Sequence, residues 1–91
     1  MEMADLGAIK EKIRNIAGRR RNVTFEEIQW VVNQLGQFYN VGMRPARHGA
    51  LFRVENQRFM VSSHNPGSKQ VKSYSVDGFI HAMVELGLCE E

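Results

Sequence analysis

Apolar side chains recur at helical spacing near the start of the chain. Four aliphatic residues follow one another at intervals of three and four positions, namely Leu6, Ile9, Ile13 and Ile16. Because residues at this spacing lie on one face of a helix, the pattern predicts a helix over about residues 4–17. Gly18 is the expected stop of this helix, and Arg19, Arg20 and Arg21 after it predict an exposed basic linker.

Thr24 and Glu27 have the spacing of a capping box at the start of a second helix. The Thr24 hydroxyl is expected to accept a hydrogen bond from the amide of Glu27, whose carboxylate would accept one from the amide of Thr24. Val23, just before the cap, is expected to pack against Ile28. Apolar residues keep helical spacing until Gly36, which is the predicted end of this helix.

After Gly36 the apolar period shortens to two residues, which is typical of strands. Three short strands fit the alternation, around residues 39–43, 50–54 and 59–61. Residues 55–57 then form the tight connection between the second and third strands.

A broad apolar face near the end of the chain predicts a last helix, with Ser75 as its N-cap and Gly87 as its stop. A three-stranded antiparallel sheet needs one face covered, and the last two helices can cover it. The sequence therefore predicts an α+β fold with helices packed on one sheet face and water on the other. Arg53 lies on the open face if Phe52 and Val54 point into the core.

The chain has 91 residues, of which 43% are apolar, and this favours one small core. Residues 1–21 are expected to form an N-terminal helix with its basic linker, and residues 22–91 the main domain. The single cysteine, Cys89, cannot form an internal disulfide, which favours a reducing, cytoplasmic location. The chain has no run of 18 apolar residues, so no membrane span is expected. The mixed charge of the N-terminal stretch argues against a signal peptide.

Positive charge is concentrated in the middle of the chain, although the net charge is only +2. Beside one acid, Glu55, residues 41–72 hold six basic side chains, which are Arg44, Arg47, Arg53, Arg58, Lys69 and Lys72. Such a local excess attracts polyanions such as RNA. His48 and His64 lie in the same stretch, and histidine can take and give a proton near neutral pH. Basic surface with histidine suits a small ribonuclease as well as a passive RNA-binding module.

Sites for metals and for several cofactors lack their usual patterns here. The histidines and the cysteine show neither Cys-x-x-Cys nor His-x-x-x-His spacing, so no metal site is predicted. The chain has no phosphate-cradling glycine loop and no nucleophile elbow of a serine hydrolase. We therefore expect neither a metal nor another cofactor.

Three short motifs, in their order and spacing, resemble the HicA family of small bacterial RNA-cleaving toxins. Residues 22–28, leading to Gly36, are similar to the opening helix of one HicA subgroup. Residues 44–52 stand where family members have an arginine, a Gly-Ser-His segment and an aromatic strand residue. Residues 72–76 and the apolar positions after them resemble the start of the family's final helix. The resemblance covers about residues 20–88.

The resemblance implies a fold like that of double-stranded RNA-binding domains, with an extra N-terminal helix. It also implies a metal-independent endoribonuclease that acts on mRNA, and a toxin whose partner is a separately encoded antitoxin protein. In that scheme His48 would be the catalytic acid or base. The side chains that would bind RNA are Arg44, Arg47, Arg53, Arg58, His64, Lys69 and Lys72.

The position of His48 departs from the family pattern. The family's histidine precedes the aromatic strand residue by three positions, whereas His48 precedes Phe52 by four. A shift of one residue in a strand moves a side chain to the opposite face. Three arrangements accommodate the shift: Leu51 takes the aromatic position, a bulge at Gly49 restores the phase, or His48 is displaced and the site is impaired.

Two further functions fit the same residues. The chain could be a non-catalytic RNA-binding relative in which the shift at Gly49 abolished cleavage. It could also be a protein-interaction domain that binds its partner through Leu51, Met60 and Trp30. A titration against structured RNA at two salt concentrations distinguishes a protein-interaction domain from an RNA-binding protein.

Overall fold

A computed structural model describes residues 4–63 and 69–90 of the chain. The secondary-structure elements, in chain order, are α1 (Leu6–Arg19), α2 (Phe25–Leu35), β1 (Val41–Ala46), β2 (Gly49–Val54), β3 (Gln57–Ser62) and α3 (Ser73–Glu85). The strands form one antiparallel sheet in the order β1-β2-β3. The predicted α+β architecture is confirmed. Within the described residues no helix is both long and apolar enough to cross a membrane.

The sheet is covered on one face by α2 and α3, and α1 packs against both of these helices. Phe52 and Val54 of β2 are buried, as predicted, so Arg53 between them points to the opposite face of the sheet. Three rings link the layers, because Phe52 lies 5.6 Å from Phe25 of α2 and 5.7 Å from Phe59 of β3, measured between ring centroids. The other face of the sheet, called here the open face, has no helix against it among the described elements.

The N-terminal helix α1 contributes fully to this core. Its apolar stripe, Ile9, Ile13 and Ile16, has no solvent exposure and belongs to the same buried cluster as Phe52 and Phe79. The helix starts at an Asp5 cap, whose Oδ1 accepts a 2.8 Å hydrogen bond from the amide of Ala8. Burial of three isoleucines therefore holds the helix against the rest of the domain.

The predicted stop of α1 at Gly18 is wrong, because the helix continues to Arg19. Arg20 takes the left-handed conformation at the end, with φ of 54°, and its amide donates to the Ile16 carbonyl. The Arg20 side chain also donates to the Ala17 carbonyl and to Asp77 of α3, both at 3.1 Å. These bonds offset the cost of a left-handed conformation in a residue with a side chain.

The predicted capping box of α2 is confirmed. The amide of Glu27 donates to the Thr24 hydroxyl at 3.2 Å, and the amide of Thr24 donates to the Glu27 carboxylate at 3.0 Å. Val23 and Ile28, the predicted pair across the cap, are both buried in the core. Two otherwise unpaired amides are thus satisfied at the point where the chain turns into α2.

The predicted N-cap of α3, Ser75, is wrong, because the helix begins two residues earlier. The helix begins at Ser73 after Lys72, and no side chain caps it. Ser75 lies in the first turn, is fully buried, and its Oγ accepts a 2.8 Å hydrogen bond from the amide of Ser62 in β3. The hydroxyl therefore fixes the helix to the end of a strand, a contact that exists only in the folded chain.

The predicted end of α3 at Gly87 is confirmed in its chemistry. Gly87 has φ of 76°, its amide donates to the Val84 carbonyl, and the amide of Leu88 donates to the Met83 carbonyl. This pair of bonds is the Schellman motif, which requires a left-handed residue that glycine adopts without penalty.

The first strand lies further along the chain than the alternation predicted. β1 starts at Val41 and pairs as far as Ala46, which is opposite Gly49. Arg47 and His48 are therefore the two residues of the β1–β2 turn. The alternation of residues 39–43 does not mark the bounds of β1, because residues on both faces of this edge strand are partly or largely exposed.

Candidate nucleic-acid interface

Those predicted RNA-binding side chains that the structure describes fall on two separate surfaces. Arg44, Arg53 and Arg58 lie on the open face, at alternate positions of the strands from the buried Phe52 and Phe59. The other group lies at the end of the sheet formed by the β1–β2 turn. We call this second surface the turn end, and it consists of Arg47, His48, Lys69 and Lys72.

The turn end is assembled by backbone hydrogen bonds. The His48 carbonyl accepts from the amide of Ser63 at 2.7 Å, and the amide of Lys72 donates to the Ser62 carbonyl at 2.8 Å. The Lys69 carbonyl in turn accepts from the amide of Phe25 at 3.0 Å. These bonds attach the segments that carry the two lysines to the last residue of β3 and to the first residue of α2. Two pairs of residues that are distant in sequence, Arg47 with His48 and Lys69 with Lys72, therefore lie at one end of the molecule.

Of the two helices that begin near the turn end, only α3 offers a start suited to an anion. Lys72 stands at its cap position, no side chain caps it, and its first turn contains no acid. The amides of an uncapped first turn carry partial positive charge that favours an anion. In contrast, α2 has Glu26 and Glu27 in its first turn and a complete capping box. The start of α3 therefore offers an anion both free helix amides and the Lys72 ammonium group.

Tyr74 lies beside the turn end, next to Lys72, and sequence reasoning did not assign it to binding. Its side chain is exposed, and Lys72 Nζ lies 5.7 Å from the centre of its ring. An exposed ring beside a lysine can stack on a nucleotide base while the ammonium group meets a phosphate. The signal was present in the chain as an aromatic residue two positions after a lysine, but its exposure depends on where α3 starts.

The pairing register decides among the three arrangements that the sequence left open for His48. The β1–β2 and β2–β3 registers run without an extra residue from Gly49 to Val54, so the bulge proposed at Gly49 is absent. Leu51 does not take the aromatic position, because it lies on the open face while Phe52 is in the core. His48 is exposed in the turn, and among the described residues no side chain hydrogen-bonds to it. His48 therefore lies in the β1–β2 turn, outside both strands.

Gly49 has a steric role in place of the predicted bulge. A Cβ atom at this position would lie 1.8 Å from the Val61 carbonyl oxygen and 2.8 Å from its carbonyl carbon. Both are backbone atoms of the neighbouring strand, which cannot move aside as a flexible side chain can. Gly49 therefore permits the close approach of β2 to β3 directly after the His48 turn.

The open face carries positive charge without an acid among its strand residues, since β1, β2 and β3 contain no Asp or Glu. Arg53 and Arg58 occupy directly paired positions, and like charges placed opposite one another repel. A shallow cavity of about 260 Å³ lies on this face. Its lining residues are Gly42, Met43, Arg44, Leu51, Arg53 and Arg58.

Arg53 is the fixed member of the open face. Its two terminal nitrogens donate to the Glu55 carbonyl and to the Asn40 side chain, both at 3.0 Å. The Glu55 carboxylate is engaged by the amide of Asn40 at 2.6 Å. The guanidinium lies across Gly42, where an added Cβ atom would stand 3.2 Å from its Nη2. A positive group is thus held in one place over the edge strand.

The remaining histidines are His64 and His81. His64 lies outside the described residues, so its predicted role in RNA binding stays a prediction. His81 in α3 lies 3.9 Å from Glu85, whereas Asp77 pairs with Arg20. The described part of the chain holds no group of three His, Cys, Asp or Glu side chains that could bind a metal ion.

Comparison with known proteins identifies no relative: no family model, no curated protein and no solved structure matches this chain.

Proposed function

We propose that this protein is an RNA-binding domain that contacts RNA through the turn end. The observation that carries the proposal is the placement of Arg47, Lys69 and Lys72 at one end of the molecule, together with the uncapped start of α3. Backbone bonds to Phe25, Ser62 and Ser63 bring these segments to the same end. Lysine and arginine side chains with helix amides are the groups that bind phosphate oxygens.

The turn end is better suited to a phosphate backbone than to a single small anion. Its cations stand on a hairpin turn, on the segment before α3 and at the cap of α3, so they are spread over a surface and do not converge on one point. Contacts of this kind read the shape and phosphate spacing of an RNA helix more than its sequence. We therefore propose structured, double-helical RNA as the ligand class.

Cleavage of the bound RNA is a second candidate function, and the placement of His48 favours it. The side chain is exposed in the turn beside Arg47, at the same end as Lys69 and Lys72. In a cleavage reaction the imidazole would remove the proton of a 2′-hydroxyl or protonate the leaving oxygen. Arg47 would stabilise the charge that develops on the phosphate. The HicA resemblance would make such an enzyme an mRNA-cleaving toxin, with an antitoxin protein as its partner.

Titration with a short RNA duplex at two salt concentrations, in the presence of a chelator, tests the binding proposal. We expect saturable binding that weakens as salt rises. Three phosphate contacts predict a slope of log affinity on log salt of about −2 to −3. Lys10→Ala is a matched control, because Lys10 lies in α1 beside the last residues of the chain and should not change the affinity. Absence of saturable binding by the wild-type protein would overturn the proposal.

A further inference from the structure

The outer edge of β1 offers unpaired backbone groups at known positions. β1 is an edge strand of the described sheet and pairs only with β2. The amide of Glu55 donates to the Asn40 carbonyl at 2.8 Å, so Asn40 is in a hydrogen-bonded pair just before the strand. Because such pairs alternate along an antiparallel ladder, Val41 and Met43 direct their amides and carbonyls away from β2.

Pro45 continues this outward-facing series and sets its limit. It has no amide hydrogen, so the edge there presents a carbonyl acceptor without a donor. A proline at an outward position is one way in which edge strands limit unwanted pairing. Donors remain only at Val41 and Met43, which is enough for a short strand to pair with the edge.

The side of β1 that faces the core is incompletely covered. Met43 is directly opposite Phe52, yet Met43 is 50% exposed while Phe52 is 1% exposed. Met43 lies on the edge strand, where α2 makes few contacts, and the Gln29 side chain of α2 lies 3.9 Å from its sulfur. A strand added to this edge would bury the methionine with apolar side chains of its own.

On the open-face side of β1, an added strand would need acidic side chains, because two arginines lie there. Arg44 points to the open face, and the fixed guanidinium of Arg53 lies across Gly42, its neighbour on that face. Side chains of an added strand opposite Gly42 and Arg44 would therefore meet two guanidinium groups. Acidic side chains at these alternate positions form charge-assisted hydrogen bonds with them.

We propose that the outer edge of β1 is a docking site for an extended segment of another protein in which acidic and apolar residues alternate. The segment adds a fourth strand, with its backbone bonded to Val41 and Met43, its apolar side chains over Met43 and its acids against Arg44 and Arg53.

A second copy of this chain fits poorly, because β1 paired with itself brings two Arg44 side chains to one face. The open face has no aromatic side chain for stacking a nucleotide base, which disfavours single-stranded RNA. The site is separate from the turn end and does not depend on RNA binding.

The probe for the experiment is a short, blocked peptide in which Glu alternates with Val, labelled for fluorescence anisotropy. In the proposed complex the segment runs antiparallel to β1, so the amides of its Val residues face β1 and those of its Glu residues face solvent. We expect N-methylation of the Val amides to abolish binding, and N-methylation of the Glu amides to leave it unchanged. Equal affinity of the two methylated peptides would overturn the proposal, because binding would then not involve strand pairing.

Variants of the chain provide the second part of the test. Met43→Pro removes one outward donor without removing a bond to β2, and Arg44→Glu reverses the charge at that position. Each change should lower the affinity for the unmodified peptide by about tenfold or more. Arg14→Glu makes the same charge change on the exposed side of α1, beside residues 87–90, and should have little effect. Circular dichroism confirms that each variant is folded.

Three results would overturn the proposal: no saturable binding of the peptide, self-association of the chain that Met43→Pro abolishes, or duplex-RNA affinity that falls in Arg44→Glu while peptide affinity does not. The second result would assign the edge of β1 to a second copy of the chain, and the third would assign the open face to RNA.

Discussion

The Nζ atom of Lys12 in α1 lies 2.7 Å from the Oε2 atom of Glu27 in α2. Arg19 of α1 donates to the same carboxylate oxygen, while the other oxygen belongs to the capping box with Thr24. One carboxylate therefore closes the start of α2 and binds two cations of the N-terminal helix. A residue that the sequence assigned to local helix capping also joins two helices in the tertiary structure.

This cluster predicts a dependence of stability on pH. Burial alone would raise the pKa of Glu27, but hydrogen bonds from Arg19, Lys12 and the Thr24 backbone, with the charge of Lys12, lower it from 4.5 to about 2. Because the folded-state pKa is below the unfolded one, the stabilisation is present above about pH 4.5 and is lost as the pH falls towards 2.

The variant Glu27→Gln isolates this contribution. We expect its free energy of unfolding to be lower than that of the wild type by on the order of 2 kcal/mol at neutral pH. The difference should shrink between about pH 4.5 and 2, the interval over which Glu27 is protonated in the unfolded and then in the folded state. Chemical denaturation of both proteins across this range measures it, and a constant difference would contradict the assignment.

The Thr24 cap predicts a local loss of stability. Thr24→Ala removes the hydroxyl that accepts from the amide of Glu27, and we expect a cost of about 1 kcal/mol. Thr24→Ser retains the hydroxyl and should cost much less. The midpoint of urea denaturation compares the three proteins. A midpoint in Thr24→Ala equal to that of the wild type would show that this cap contributes nothing.

Two glycine-to-alanine changes are expected to have opposite effects. In Gly49→Ala the new methyl group collides with the Val61 backbone, so we expect destabilisation by about 3 kcal/mol or more. In Gly18→Ala nothing lies within 4 Å of the new atom, and the residue is helical and exposed. A gain of about 0.5 kcal/mol is expected there, since alanine loses less backbone entropy than glycine in a helix. Thermal denaturation of both variants measures the two effects, and a stable Gly49→Ala protein would disprove the close approach.

RNA binding predicts a defined effect of the two lysines of the turn end. Lys69→Ala combined with Lys72→Ala removes two phosphate contacts, so affinity for duplex RNA should fall. The slope of log affinity on log salt should become less steep by about 1.5. Titration at several salt concentrations, with Lys10→Ala alongside, measures both quantities. Unchanged affinity would remove the start of α3 from the proposed interface.

Cleavage by His48 is tested separately from binding. If the wild type cuts RNA in chelator, we expect His48→Ala to lower the rate by about 10² to 10⁴-fold and to leave RNA affinity nearly unchanged. His81→Ala is a matched control, since His81 lies on the exposed side of α3 beside Glu85. Binding without any cleavage by the wild type would leave the protein as an RNA-binding module. Full cleavage by His48→Ala would place the catalytic group elsewhere.

Local chemistry explains which predictions the structure confirms. The capping box of Thr24 and Glu27, the Schellman end at Gly87 and the inward direction of Phe52 depend on residues close in sequence or on the alternation of one strand. Helical period, strand period and capping groups are properties of short segments, so the amino-acid sequence alone determined the elements and the α+β class.

Tertiary packing decided where those elements end and which basic residues share a surface. The first strand extends to Ala46 because β2 pairs with it as far as Gly49. Ser75 accepts a hydrogen bond from the amide of Ser62 because α3 packs beside β3. The same packing separates Arg53 and Arg58 on the open face from Lys69 and Lys72 at the turn end. The sequence does not show which basic residues share a surface, because their spacing along the chain follows neither the helical nor the strand period. Only the pairing register and the hydrogen bonds of the folded backbone determine which of them meet.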